Sequence, residues 1–319
     1  MSYGNPEWRK WVLGEAEGIE QIKFAYENGI QTFDTADVYS NGLSEVILGK
    51  AIKQLNLPRE EIVVMTKLHH VVARSPGEQL SFSDSVDNLG YVNQYGQSRK
   101  HIFDSVQHSL ERLQLDYVDV LQCHRFDYNT PVEEVMQALH DVVQKGWARY
   151  IGMSSCWAWQ FHQMQNYAIN NRLTPFISMQ NHYNLIYREE EREMMPTLKH
   201  FGISSIPWSP LARGALTHPL GERTVRADND NWHDTYLKEP SNQEVVKRVE
   251  EIAKKRGASM AQISLAWTLT KEIVSAPIIG TTSLDKLKDL IDAVDIKLSD
   301  AEVKYLEEPY RPTAVIGHS

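Results

Sequence analysis

Only two cysteines, Cys123 and Cys156, occur in the 319 residues, so no disulfide framework holds the chain together. No apolar run approaches the ~20 residues that cross a bilayer. The N-terminal MSYGNPEWRKW lacks the apolar stretch of a signal peptide, and no Asn-x-Ser/Thr triplet occurs. These absences point to reduced, cytoplasmic surroundings and no membrane partner. Dense Lys/Arg tracts are also missing. Basic residues number 33 against 42 acidic ones, for a net charge of −9, which argues against nucleic acid as a partner. Neither a G-x-G-x-x-G after an early strand nor a G-x-x-x-x-G-K-[ST] is present. Internal repeats and low-complexity tracts are absent as well.

What is present is an alternation. Helical periodicity covers Glu15–Glu27, Leu43–Leu55, Arg99–Leu113, Pro131–Lys145, Trp157–Asn170, Glu189–His200, Gln243–Lys255, Met260–Leu269 and Leu284–Ile291. Between them lie seven short β-branched or apolar runs, at 32–33, 62–65, 117–121, 149–151, 176–179, 203–206 and 276–279. Such repetition predicts parallel strands joined by right-handed crossovers. A doubly wound sheet and a (β/α)₈ barrel both satisfy it, and the missing nucleotide fingerprint weighs against the first. In a barrel the chemistry sits on loops after the strands. Two long polar connections, Leu68–Ser98 and Ser209–Pro240, both follow strands and are expected to be binding loops, lids or disordered insertions.

Three successive strand ends carry reactive groups. Asp34 ends the first run, with Tyr39 in its loop; Lys67 ends EIVVMTK; His124 ends DYVDVLQCH. Singly, each has a plain reading: Asp34 as a turn cap, Lys67 as a solvated turn residue, His124 as a satisfied histidine near Arg125 and Asp127. As a set they have a chemical logic. Free tyrosine, with a pKa near ~10, is a poor proton donor at neutral pH, and an ammonium buried beside it stabilises the phenolate. A carboxylate keeps that ammonium charged where burial alone would discharge it, and an imidazole can orient the reacting oxygen. This set suits proton donation to an oxygen that becomes negative as hydride reaches its carbon.

The segments FDTADVYSNGLSE, VVMTK, SRKHIFDSVQHSLERLQLDYVDVLQCHR, RYIGMSSCW, SMQNHYNL, IPWSPLARGAL and PIIGTTSLDKL occur in that order. Together they resemble the aldo-keto reductases, from Met1 to about Tyr310, and within them the fungal aryl-alcohol dehydrogenase-like and mycotoxin-pathway reductases. The resemblance implies a TIM barrel, a single domain over 1–319, NADP(H), and reduction of an aldehyde or ketone, aromatic or bulky, in secondary metabolism or detoxification. It places the catalytic tetrad on Asp34, Tyr39, Lys67 and His124, with Tyr39 the proton donor and Asp34 also beside the cofactor. Ser154 and Ser155 fall where a Ser-Asn pair holds the nicotinamide carboxamide, with Ser155 replacing the Asn. Gln180 matches the carboxamide-binding Gln, and Trp208 the ring that stacks on the nicotinamide. Ser209, Pro210, Leu211, Ala212, Arg213 and Gly214 resemble the pyrophosphate loop. Gly280, Thr281 and Thr282 resemble the turn that grips the adenosine phosphate at a helix start. Lys286 is expected to pair with the 2′-phosphate and so to select NADPH. Asp289 stands where the family often has Asn against adenine; its carboxylate can accept there but not donate.

Relative to the family pattern the chain starts late. The expected barrel lacks its N-terminal hairpin and first strand, about 20–25 residues, through a short gene model or a true truncation. Two other readings follow. One is a nucleotide-binding regulatory subunit like the β subunits of potassium channels, which carry Asn where this chain has His124. The other is an inactive truncated paralogue. His69-His70 has no third ligand at metal spacing, so no metal is expected. Cys123 should point away from the face that His124 uses. Tyr3, His69, Trp157, Tyr183 and Trp232 are placed as walls of an aromatic pocket. The oligomeric state is not legible.

Overall fold

Parallel pairing begins at Thr32–Asp34 (β1). In the computed structural model, which describes residues 1–80, 85–222 and 235–318, the chain divides into two compact units. The first comprises Met1–Ser178 with His318, the second Met179–Gly317.

In the first unit β1 is followed by Val63–Leu68 (β2), Val118–Cys123 (β3), Ala148–Ser154 (β4) and Phe176–Gln180 (β5), which lie side by side in chain order. Register pairs Asp34 with Met65, Lys67 with Gln122 and Gln122 with Gly152. The helices are Glu15–Glu27 (α1), Leu43–Gln54 (α2), Arg99–Leu113 (α3), Val132–Gln144 (α4) and Ala158–Asn170 (α5). They bury apolar residues such as Ile47, Ile102, Val106 and Leu139 with Val64, Val120 and Ile151 of the strands. The Leu68–Ser98 connection carries its own small core of Val71, Ala73 and Tyr91. The Tyr91 hydroxyl accepts from Arg74 N at 3.2 Å and donates to Glu78 at 3.1 Å.

The second unit takes up the last two residues of β5 and adds Ser204–Ser205 (β6), which neighbours β5. Its helices are Met194–Phe201 (α6), Pro240–Arg256 (α7), Met260–Leu269 (α8), Leu284–Ile291 (α9) and Asp300–Glu307 (α10). Trp267, Tyr183, Tyr187, Val245 and Val249 lie in its core.

Two expectations need correction. The helix over Glu189–His200 is a 3₁₀ turn, Glu189–Glu191, followed by α6. Pro196 forces this: it is tolerated only in a helix's first turn, so the helix starts at Met194. The seventh run, 276–279, is not a strand. Ile278 N donates to Pro207 O at 2.8 Å and Ser275 N to Ser205 O at 2.9 Å, but Pro277 has no N–H to continue the ladder. Helix α10 was not anticipated, although its capping box, Ser299 with Glu302, stands in the sequence. The remaining helices match within one to three residues at each end. Among the described residues no helix is long and apolar enough to cross a membrane.

Candidate active site

The parallel register brings three strand ends of the first unit together. Lys67 is buried at the end of β2, its side chain 1% exposed. Its Nζ donates to Asp34 Oδ2 at 2.6 Å and to the Thr35 carbonyl at 2.8 Å. Burial alone would discharge this lysine, but the Asp34 carboxylate, and after it the Tyr39 side chain, outweigh burial and raise its pKa. Lys67 therefore stays an ammonium, 5.1 Å from the centroid of the Tyr39 ring. His124 meets the same ring edge-on, with centroids 5.7 Å apart. Its backbone N–H donates to Leu68 O at 2.9 Å. Burial, and then the fields of His70, Arg125 and Lys67, hold its pKa well below the usual range, so it is neutral. His124 Nδ1 is buried with no hydrogen-bond partner among the described residues.

The loop carrying Tyr39 is fixed from both sides. After Tyr39 the backbone turns left-handed over Ser40, Asn41 and Gly42, at φ 48°, 51° and 93°, which costs energy at non-glycine residues. Ser40 Oγ accepts from Asn5 N at 3.1 Å. A Cβ on Gly4 would lie 2.0 Å from that oxygen, so the approach requires glycine. Asn41 Nδ2 donates to Ser75 O and Glu78 O at 2.8 and 2.9 Å, and its Oδ1 accepts from Ala73 N at 3.1 Å.

The positions expected to hold a cofactor fall in both units. In the first, Ser154 and Ser155 are buried at the end of β4, and Ser155 has φ 38°. Asn tolerates such a conformation better than Ser does. In the second, Gln180 is buried and ends β5. Trp208 is half-buried, one face flat against His182 with centroids 4.2 Å apart and planes 9° apart. Ser209, Ala212 and Arg213 are left-handed non-glycine residues at φ 51°, 47° and 55°; Gly214 follows at φ 105°. Pro210 is buried and Leu211 half-buried in the same segment. Gly280, Thr281 and Thr282 lead into α9, whose N-cap Ser283 accepts from Lys286 N at 3.4 Å. The Lys286 side chain is exposed, and Asp289 Oδ2 accepts from Ser259 Oγ at 2.6 Å.

Of the expected pocket walls, Tyr183 must be corrected. It is fully buried in the second unit's core, and its hydroxyl donates to Glu191 at 2.5 Å. Packed with Tyr187, Trp267 and Val245 in one apolar cluster, it fills the core rather than lining a pocket. Tyr3 is half-buried with its pKa pushed up to about 12 by burial. Trp157 is exposed and edge-on to His318. Trp232 lies outside the described residues.

A family model described as the Aldo/keto reductase family matches residues 1–311 of this chain. The chain belongs to the aldo-keto reductases. Versiconal hemiacetal acetate reductase of Aspergillus parasiticus is 47% identical over 320 residues, covering 99% of this chain and 93% of that one. Aldo-keto reductase AFTS1 of Alternaria alternata is 45% identical over 328 residues, covering 100% and 89%. A Schizosaccharomyces pombe protein named after the aryl-alcohol dehydrogenases is 45% identical over 329 residues, covering 99% and 92%. As an aldo-keto reductase the chain is an oxidoreductase of carbonyl and alcohol groups, in a family that works with a nicotinamide dinucleotide.

The structure of this aldo-keto reductase adds residues that sequence reasoning missed. Gln122 Nε2 donates to Asp34 Oδ1 at 3.1 Å, so both carboxylate oxygens are engaged. The available signal was strand alternation, which puts Gln122 on the face of His124. Asp37, two residues before Tyr39, is buried; its Oδ2 accepts from Ser105 Oγ at 2.9 Å. His69 and His70 continue the ring chain from His124, at centroid distances of 4.9 Å (His69–His70) and 5.1 Å (His70–His124). Burial pushes them down to about 4 and about 3, opposed at His69 by the Asp127 carboxylate and reinforced at both by Arg125. Among the described residues no group of three or more His, Cys, Asp or Glu could hold a metal. Cys123 is buried, and its thiol is pushed up to about 12 by burial, so it stays protonated.

Proposed function

We propose that this aldo-keto reductase uses NADPH to reduce an aldehyde or ketone, aromatic or bulky, to its alcohol, with Tyr39 as proton donor. The observation that carries the reading is the buried Lys67 ammonium, paired with Asp34 at 2.6 Å and facing Tyr39. An uncompensated ammonium there would lose its charge; this one is held charged beside a phenol, which is what a tyrosine acid needs.

The residues present suit the dinucleotide. Trp208 offers a half-buried indole whose back is closed by His182. Arg213 brings a cation in a strained loop, and the N-terminus of α9, capped by Ser283, follows Thr282. Ser154, Ser155 and Gln180 would take the carboxamide, Ser209 to Gly214 the pyrophosphate, Gly280 to Thr282 and Lys286 the adenosine phosphate, and Asp289 the adenine edge. When bound, the nicotinamide supplies the hydride. The chain's own groups do the rest. Tyr39 donates its proton to the substrate oxygen as that oxygen turns negative, and the phenolate left behind faces the Lys67 ammonium. Asp34 and Gln122 hold that ammonium in place. Neutral His124 orients the oxygen by hydrogen bonding.

The reading takes residues 1–319 as a single domain of the (β/α)₈ barrel type acting in the cytoplasm. The names of its fungal relatives, a versiconal hemiacetal acetate reductase and a protein named after the aryl-alcohol dehydrogenases, favour aromatic substrates of secondary metabolism or aldehyde detoxification. The test is loss of NADPH absorbance with a panel of aromatic aldehydes and ketones. Tyr39→Phe should lower turnover by about 10²–10⁴ while nucleotide affinity holds. Unchanged turnover in that variant would remove Tyr39 from the chemistry. Binding of NADPH without consumption across the panel would favour a regulatory role.

A further inference from the structure

His182 and Asn184 have no part in the chemistry above, yet they hold Trp208, proposed to stack on the nicotinamide, and Ser209, which opens the proposed pyrophosphate segment. His182 is completely buried. Its ring lies between two others: flat on Trp208 at 4.2 Å and 9°, and flat on Tyr187 at 4.1 Å and 13°. The backbone is tied as well, since Trp208 N donates to Asn181 O at 2.9 Å and His182 bridges Trp208 in parallel. A three-ring stack at these spacings needs a planar side chain in the middle, because only a flat ring contacts both neighbours over their whole faces.

The polar edge of the imidazole is equally determined. Asn184 Oδ1 accepts from Ile186 N at 3.1 Å and its Nδ2 donates to Ser209 O at 2.9 Å. Those two bonds fix which end of the amide is which. The same Nδ2 lies 3.3 Å from His182 Nε2, and the Tyr236 hydroxyl lies 2.6 Å from that nitrogen, so both polar neighbours meet the ring at Nε2. Ser209 is left-handed at φ 51° and opens the segment in which Ala212 and Arg213 are left-handed too. Such a conformation persists where surrounding bonds over-determine it, and Asn184 supplies one of those bonds to the Ser209 carbonyl.

We propose that His182 and Asn184 are positioning residues. His182 sets the plane of Trp208, Asn184 pins the strained turn at Ser209, and Tyr236 locks the pair through Nε2. The platform and the start of the phosphate loop are thereby formed before the nucleotide arrives, which spares binding the cost of ordering them. This inference rests on the nicotinamide reading of Trp208.

The test uses the full chain, NADPH titration followed by nucleotide fluorescence, and single-turnover hydride transfer at saturating NADPH. Asn184→Ala should weaken NADPH binding about tenfold, the scale of one buried hydrogen bond, with the hydride step nearly unchanged. His182→Leu should slow the hydride step about tenfold through misplacement of the ring. His182→Phe restores a flat ring and should recover that step. A role confined to folding would lower melting temperature without producing this split between affinity and rate. Should His182→Leu fail to fold, His182→Gln, which also lacks a ring, takes its place. Wild-type affinity in Asn184→Ala together with wild-type hydride transfer in the ringless His182 variant would overturn the proposal. A wild-type chain that binds neither NADPH nor NADH would instead overturn the nicotinamide reading itself.

Discussion

Asp37 stands two residues before Tyr39, and its carboxyl is shut away from water. Ser105 donates to Oδ2, while Oδ1 is buried with no hydrogen-bond partner among the described residues. Burial, and then the negative field of Glu45, push its pKa up to about 7; Ser105 and Arg112 pull only part of the way back. The folded state thus binds a proton here over a pH range in which the unfolded chain has released it. Stability from this site is full below the unfolded carboxyl range and is lost as pH rises through about 7. Asparagine mimics the protonated acid in shape and charge. Asp37→Asn should therefore melt close to wild type near pH 4 and increasingly above it as pH rises to about 7, with the gap level beyond that. Melting curves across that range check this, and a difference that stays constant with pH would mean that Asp37 does not titrate in the folded protein.

Helix α2 bears the side chains behind the tetrad: Glu45 accepts from Thr66 of β2 at 2.5 Å and from Arg112 of α3 at 2.6 Å. The two helices approach closely because residue 49 is glycine. A Cβ there would lie 2.3 Å from the Leu113 carbonyl oxygen and 2.9 Å from that of Arg112, both backbone atoms that cannot swing aside. Helix propensity alone would make Gly49→Ala stabilising by about 1 kcal/mol. Overpacking should reverse the sign, at a cost of about 1–3 kcal/mol, with the melting temperature falling by several degrees. A rise on thermal melting would show that the helices can separate freely. Elements like α2 were legible because their apolar period is local, and so were the strand ends that carry Asp34, Lys67 and His124. The part played by Gln122 was not, since it depends on which strand lies alongside which. The break at Glu189–Glu191 is written in Pro196, which permits a helix only from Met194 onward, but apolar periodicity alone does not carry it. The seventh run shows the same weakness, an apolar stretch whose single Pro277 prevents a ladder.

At the scale of the whole molecule the difficulty is charge. A chain of net −9 is proposed to hold a dinucleotide with three phosphates, so the overall field opposes the ligand and local cations must overcome it. Arg213 lies in the proposed pyrophosphate segment and Lys286 in the first turn of α9, with Asp289 one turn further along. NADPH differs from NADH by the 2′-phosphate, the group that Lys286 is proposed to meet. Exposed ion pairs fade with salt, because the screening length shrinks from ~10 Å at 0.1 M to ~3 Å at 1 M. Nucleotide at 100 times its dissociation constant should stabilise the fold by about 2.7 kcal/mol, read as a higher melting temperature. At low salt and equal concentration, NADPH should raise that temperature more than NADH does. The gap should narrow as salt rises and should shrink in Lys286→Met, whose stem keeps the packing but not the charge. A gap that is insensitive to salt and unchanged in Lys286→Met would place the 2′-phosphate away from this lysine and leave the choice of nucleotide to uncharged contacts.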